Sequence, residues 1–445
     1  MKKIILICLG AGYLSAGIAA EPIKAKNTSK ATEQVKAKDT DKYQGEEMTV
    51  FSTATDRKFP NTAKATPSYT IDKVDIETKV NATTVEDTVR YAPGVLIRKR
   101  FIGDPNGTLG IRTSNSFQSA HTSVYADGLP LHNPLRTSFS GAPRWSMVAP
   151  SEIESAEVLY GPFSAQYGGA SFGGVVNLTT RMPEKFEAHM DAMGIFQDMH
   201  RGGRNDLLTG FKTFISAGDK IDRFSIFGSY NHFENEGQPQ TPRTTAVTNG
   251  ATGTVATGGQ FENQPDPIAK FANGSRINGT GPGILYGDDG VAQQATNLFK
   301  LKMGYDFADE LKGLFTIAYE ERLGKTDDPL SLLKDASGNT LLGSGTAAGA
   351  STNATYNQAG KVFTVPGSAF SVGESERNAL NYGLNLKGKI SDNWSIDTTA
   401  SYYDAFKDRS VSSNLNPNHP LNTNKGQVTD VDAWWAAYDL KFVGG

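Results

Sequence analysis

The sequence predicts a mixed α+β domain followed by antiparallel transmembrane β-barrel strands. Two observations carry the second part. From about residue 186 onward, apolar and polar residues alternate with period two over stretches of about ten residues. Leu380, Tyr382, Leu384, Leu386 and Ile390 fall on one face of such a stretch, with Asn381, Asn385, Lys387 and Lys389 on the other. Phe299, Leu301, Met303, Tyr305 and Phe307 alternate with Lys300, Lys302 and Asp306 in the same way. The connections also alternate in length. Short turns at 218–220, 308–310 and 391–393 contrast with long polar loops at 233–295, 322–376 and 406–431. Short turns on one side and long loops on the other is the outer-membrane arrangement. Alternation by itself fits a soluble β-sandwich as well. A third observation, a glycine-punctuated stretch at 157–178, marks the preceding domain as a different kind of structure.

The chain opens with Lys2-Lys3, an apolar run Ile4 to Leu9, and small residues up to Ala20. A basic start, a short apolar core and small residues at its end make residues 1–20 a secretory signal peptide. Cys8 is the single cysteine, so the exported chain carries neither disulfides nor thiol chemistry. Among 445 residues, Lys+Arg 44 against Asp+Glu 47 leaves no basic excess of the kind nucleic acid attracts. No later apolar run approaches the ~18 residues of a membrane helix, which excludes a helical membrane protein but not a barrel.

Residues 21–60 begin as a Lys-rich polar spacer, which cannot bury a core. Within it, residues 46–54 form an acidic, β-prone run from Glu46 to Ala54, suited to recognition by strand addition. Residues 61–183 follow as the α+β domain. Tyr69 to Ile71 reads as a strand, and Asp75 to Tyr91 as a helix stopped by Pro93-Gly94. Val95 to Ile97 starts the next strand, and Asp127-Gly128 is a tight-turn pair. Glu157 to Leu159 is a short strand, broken by Gly161-Pro162. Gly173-Gly174 then opens an apolar strand, Val175 to Leu178. Paired glycines there allow positive φ and close backbone approach. No Lys-Ser/Thr pair and no helical pattern follow them, so this is not a phosphate loop.

This stretch resembles the end of the plug domain of TonB-dependent outer-membrane receptors. The matches are Glu157, Val158, Gly161, Pro162, Ser164, Tyr167, Gly168, Gly173, Gly174, Val175, Val176 and Asn177. Pro93-Gly94-Val95, Ile111-Arg112, the run Val124 to Leu131 around Asp127-Gly128, and Arg181-Met182-Pro183 resemble further family motifs. Thr113 stands where members have Gly after Ile-Arg, and Tyr160 where they often have Arg before Gly-Pro, which puts a plug-to-barrel lock of that kind in doubt.

The resemblance implies a plug at 61–183 and the N-terminal part of a transmembrane β-barrel at 184–445. It implies a TonB box at 46–54, with Glu47, Met48, Thr49, Val50 and Phe51 contacting TonB, itself driven by ExbB and ExbD. The ligand would sit at the plug's apical loops, on Phe101, Asp104, Asn106, His132, Asn133, Arg136, Phe139 and Trp145. Aromatic and Arg side chains there suit an anionic chelate such as a ferric siderophore. The barrel's outer face would meet outer-membrane lipid. No catalytic constellation or cofactor signature is present, and the six histidines lack metal-ligand spacing. The implied function is active uptake of a scarce ligand across the outer membrane. A structural or adhesive outer-membrane protein with a vestigial plug, and a secreted carbohydrate-binding sandwich, are the other readings.

Strands are expected at 186–197, 207–217, 221–232, 296–307, 311–321, 378–390, 393–405 and 432–443. Plugged transporters need about 22, since a barrel of about eight is filled by its own side chains. A fragment of a longer receptor is therefore expected, as an open sheet partly wrapped around the plug. The long loops are expected to be mobile and unable to pack a core alone.

Overall fold

The computed structural model describes residues 68–112, 121–132, 142–161, 167, 171–261, 283–342, 353–412 and 427–444. Residues 46–54, with the expected TonB-box side chains Glu47 to Phe51, lie outside the described residues, as does the expected signal peptide.

The N-terminal domain is built on β1 (Ser68–Asp72), β2 (Val95–Arg98), β3 (Thr108–Ile111), β4 (Thr122–Ala126), β5 (Leu129–Pro130), β6 (Ile153–Tyr160) and β7 (Gly174–Thr180). Five of them form a sheet in the order β1-β6-β7-β4-β5, and β2 and β3 pair separately. Only β4 and β7 run parallel within that sheet, where Val124 faces Val176. Val124, Ala156, Val158 and Val176 are completely buried at its centre, and Ile111 of β3 is buried in the same core.

The single helix expected from Asp75 to Tyr91 is two short pieces. Asp72 caps the first, accepting from the Asp75 amide at 2.9 Å. That piece ends at Val80, because Asn81 turns left-handed at φ 52° and its amide closes back on the Ile76 carbonyl at 3.1 Å. Asn is among the few residues that adopt this conformation readily. Thr84 then starts a separate turn, Val85–Val89, with its hydroxyl 3.1 Å from Asp87 Oδ2. Asn and Thr side chains compete with the helix for backbone partners, which the apolar spacing alone does not reveal.

The barrel sheet contains β8 (Glu187–Arg201), β9 (Arg204–Ile221) and β10 (Phe224–Gly237). Four strands decorate the next connection: β11 (Pro242–Ala246), β12 (Thr248–Asn249), β13 (Thr254–Val255) and β14 (Gln260–Phe261), followed by β15 (Gly283–Asp288). Then come β16 (Val291–Ala308), β17 (Leu311–Asp327), β18 (Ala354–Gln358), β19 (Lys361–Val365), β20 (Gly373–Ser391), β21 (Trp394–Ser412), β22 (Gln427–Asp430) and β23 (Ala433–Gly444). The sheet runs β22-β21-β20-β17-β16-β10-β9-β8, with β23 also on β21, and among the described residues it is open. All eight expected strands are present. Several run to 17–19 residues, well past the expected ends on the long-loop side.

Burial on this sheet is inverted relative to a soluble protein. Phe196, Phe299, Leu384, Trp434 and Tyr438 are exposed on one face, while Lys212, Lys300, Lys302, Glu320 and Arg377 are buried on the other. That is the pattern of lipid outside and a polar lumen inside. The first turn falls later than expected. Residues 218–221 continue β9 opposite Phe224–Phe227, and the turn is made by Asp222, at φ 52°, and Arg223. Gly202-Gly203 also joins β8 to β9 directly at the long-loop end.

The long loops pack a core jointly. The loop after β10 and the loop after β17 pair with each other, β12 with β19 and β13 with β18. Between them they bury Val247, Ile284, Tyr286, Leu333, Phe363, Val365 and Phe370. Each loop alone has too few apolar residues. Together they form a small covered layer, tied to β9 by the buried Arg204, whose Nε donates to Asp288 at 2.7 Å.

Candidate functional site

The motif residues of the N-terminal domain converge on its junction with the barrel sheet. Asp127 and Gly128, at φ 48° and 82°, form the turn between β4 and β5. A Cβ on Gly128 would stand 3.0 Å from Asn385 Nδ2 and 3.1 Å from Thr399 Oγ1, so the turn seats directly on the sheet. Gly174, at φ 153°, starts β7 where a Cβ would meet the Leu159 carbonyl at 2.6 Å. Its neighbour Gly173 donates its amide to the His121 carbonyl at 2.9 Å. Tyr167 accepts from Asn177 Nδ2 at 3.1 Å, joining the two ends of the glycine-rich stretch. Glu157 lies opposite Asn177 in the β6–β7 pair, and Gly161 follows β6. Pro162 and Gly168 lie outside the described residues. Arg112, left-handed at φ 55°, lies over the Tyr160 ring at 5.0 Å. Tyr160 donates to the Pro93 carbonyl at 2.7 Å, so the residue that replaces the family's Arg closes a contact within the domain.

Buried polar contacts tie the domain to the sheet. Lys300 pairs with Glu152, which is fully buried and also accepts the Ala149 amide at 2.9 Å. Lys302 pairs with Asp127 at 3.2 Å and donates to Thr180 Oγ1 at 2.5 Å. Ser146 donates to Glu320, which Arg377 holds through Nη2 at 2.9 Å. Neutral contacts add to these: Asn385 Nδ2 donates to the Asp127 carbonyl at 2.9 Å, and Asn235 Nδ2 to the Ile102 carbonyl at 3.0 Å. The alternation placed Lys300 and Lys302 on the lumen face. Nothing in the sequence identified Glu152 as the partner of Lys300 or Ser146 as the partner of Glu320, because both sit in short helical turns without pattern.

Of the residues expected at a ligand, the structure describes Phe101, Asp104, Asn106, His132 and Trp145. Asn133, Arg136 and Phe139 lie outside the described residues. Trp145 is buried and donates Nε1 to the Gly107 carbonyl at 2.8 Å, bracing one apical loop against the other. Asp104 is buried under Arg100, which donates Nε at 2.9 Å and Nη2 at 2.8 Å. Burial would raise that carboxyl. The Arg100 side chain and the amides of Arg100 and Asn106 outweigh it and hold the group below the usual carboxylate range. Phe101 is buried, and Asn106 and His132 are half-buried. Burial also lowers His132, which sits 3.3 Å from the Val124 amide and 3.2 Å from its carbonyl. Asp104 and Trp145 therefore shape the loops from within.

The TonB-dependent receptor plug domain matches residues 61–175. A curated relative, the vitamin B12 transporter BtuB of Vibrio vulnificus, is 27% identical over 163 residues, which is 35% of this chain and 25% of that protein. A variant of the ferric enterobactin receptor of Pseudomonas aeruginosa superposes with TM-score 0.47 at 14% identity, covering 88% of this chain and 47% of that one. The ferric preacinetobactin receptor BauA of Acinetobacter baumannii gives TM-score 0.42 at 12% identity, covering 82% and 50%. The chain thus spans a quarter of the curated relative's length and about half of these solved structures. Residues 61–175 are thus a TonB-dependent receptor plug domain.

Proposed function

We propose that this protein takes up a scarce ligand, a ferric siderophore or another metal chelate, by energy-coupled passage through the barrel. The observation that carries the reading is the buried polar seam between plug and wall: Lys300 on Glu152, Lys302 on Asp127, and Ser146 on Glu320. Buried charge pairs are costly to separate one partner at a time. A plug held this way blocks diffusion, and moving it needs work from outside the membrane. That work fits a pull by TonB, powered by ExbB and ExbD, on residues 46–54 at the plug's N-terminal side. The apical side would receive the ligand, with Asn106 and the segment bearing Asn133, Arg136 and Phe139 as contacts, and Asp104 and Trp145 holding the loops in place. Residues 1–20 would direct export.

The test is growth of a deletion strain on a panel of ferric siderophores, vitamin B12 and other metal chelates, each supplied as the sole source of its metal or cofactor. The reading expects a defect on one metal chelate that the full-length gene restores. A strain that grows like its parent on every chelate contradicts it.

A further inference from the structure

A cavity of about 70 Å³ lies where the apical side of the plug meets β10, β16, β17 and β20. Arg144 lines it from the plug, and Arg322 and Arg377 line it from the wall. These three guanidinium groups have unequal partners. Arg377 takes both oxygens of Glu320, at 2.9 and 3.1 Å from Nη2. Ser146 occupies the same carboxylate. Arg322 stands directly opposite Arg377 in the β17–β20 register, and like charges in that position repel. Neither Arg322 Nε nor Arg144 Nε makes a hydrogen bond among the described residues, although both atoms are buried. Arg144 is 8% exposed, and its guanidinium lies 6.0 Å from the Tyr403 ring centroid. The two carboxylates that also line the cavity are committed elsewhere. Asp104 is held by Arg100, and Glu86 accepts from Thr84 Oγ1 at 2.7 Å beside Lys99 at 3.4 Å.

Burying a guanidinium without its full set of partners is expensive, and two such groups around one hollow, sharing Glu320 with Arg377, favour a further opposite charge. Burial, reinforced by the nearby Arg377, pushes Arg144 down to about 10, which still leaves it charged at neutral pH. The hollow has room for several waters, which also suits a small polyatomic ion. We infer that this cavity binds a small oxoanion, clamped between Arg144 of the plug and Arg322 of the wall. Planar guanidinium forks match carboxylate and phosphate oxygens in pairs, so the site should prefer such groups over chloride. The bound anion would bridge plug and barrel as a removable staple. It could arrive as a free ion or as the anionic group of a larger chelate.

The experiment uses the full-length protein in detergent, freed of oxoanions and titrated with inorganic phosphate. Chloride at equal ionic strength is the control, and thermal unfolding and calorimetry are the readouts. Phosphate is expected to bind saturably and raise the unfolding temperature beyond chloride's effect. Arg144→Gln and Arg322→Gln should each weaken phosphate binding about tenfold, roughly 1.4 kcal/mol. Without anion, neither variant should melt below the parent, since each removes an incompletely partnered buried charge. Arg322→Lys, which keeps the charge and loses the fork, should weaken binding severalfold and guards against a misfolded Gln variant. Ferric citrate distinguishes the sources. Displacement of phosphate by ferric citrate assigns the site to the anionic arm of a chelate, and absence of displacement assigns it to a free ion. A phosphate effect no larger than chloride's, or one unchanged in the Arg variants, overturns the inference. Uptake does not enter the measurement, so the outcome is independent of the transport reading.

Discussion

Lys302 Nζ, fully buried on the barrel wall, lies 3.2 Å from Asp127 Oδ2 in the plug's tight turn. The same ammonium donates to Thr180 Oγ1 at 2.5 Å and to the carbonyls of Thr180 and Arg181 at 3.2 and 3.0 Å. Asp127 in turn accepts the Thr180 amide at 2.8 Å. One wall residue thus engages both the turn that the plug motif specifies and the end of β7.

Replacing Lys302 with Met should therefore cost about 3 kcal/mol, because Asp127, only 12% exposed, stays without its cation. The double variant Lys302→Met, Asp127→Asn should recover a large part of that loss. Urea unfolding of the full-length protein in detergent checks both. Single and double variants of equal stability would show that the pair contributes nothing to seating the plug.

Trp145→Phe removes the Nε1 hydrogen bond to Gly107 and leaves that carbonyl unpaired inside the plug. A loss of about 1–3 kcal/mol is expected. Proteolysis at the 101–110 loop should accelerate with it, since the bond braces that loop against Trp145.

Asp104 gives a pH-dependent prediction. Its carboxyl is lower in the folded state than the unfolded value of about 3.9. A depressed carboxylate contributes stability above the unfolded value and loses it as pH falls through the folded one. Asp104→Asn should be less stable than the parent at neutral pH, by about 1–2 kcal/mol because Arg100 is partly exposed. The gap should narrow below about pH 4. Melting curves of both proteins across that range decide it, and a gap that does not change with pH contradicts the assignment.

Val50→Pro removes a main-chain donor from the β-prone run at 46–54 and disfavours strand pairing. In the full-length receptor, uptake should be abolished while ligand still binds at the cell surface. Unchanged uptake would remove this run from consideration as the TonB contact.

Much of this arrangement was legible in the sequence, and the gaps have physical causes. The eight long strands were readable because lipid and lumen impose opposite chemistry on alternate residues, as at Phe299 to Phe307. Asp127-Gly128 was readable as a turn because few other residues tolerate both positive φ values. The break at Asn81 was missed because Ile76 and Val80 in the first piece, and Val85 and Val89 in the second, are each four apart as in one helix. The loop core was missed because its halves, Ile284 and Tyr286 on one side and Phe363 and Phe370 on the other, lie far apart in sequence. Glu152 and Ser146 were invisible for a related reason. A charge or hydroxyl in a short turn acquires meaning only when the wall opposite it is known.

The most direct test of the central claim compares ligand uptake in cells with and without TonB, each expressing the full-length receptor. The ligand is the chelate identified by the growth panel, supplied in radiolabelled form. The account predicts equal binding at the cell surface and uptake only where TonB is present. Uptake at parental rates without TonB would mean that the plug moves, or is bypassed, without a periplasmic pull, and would contradict the account.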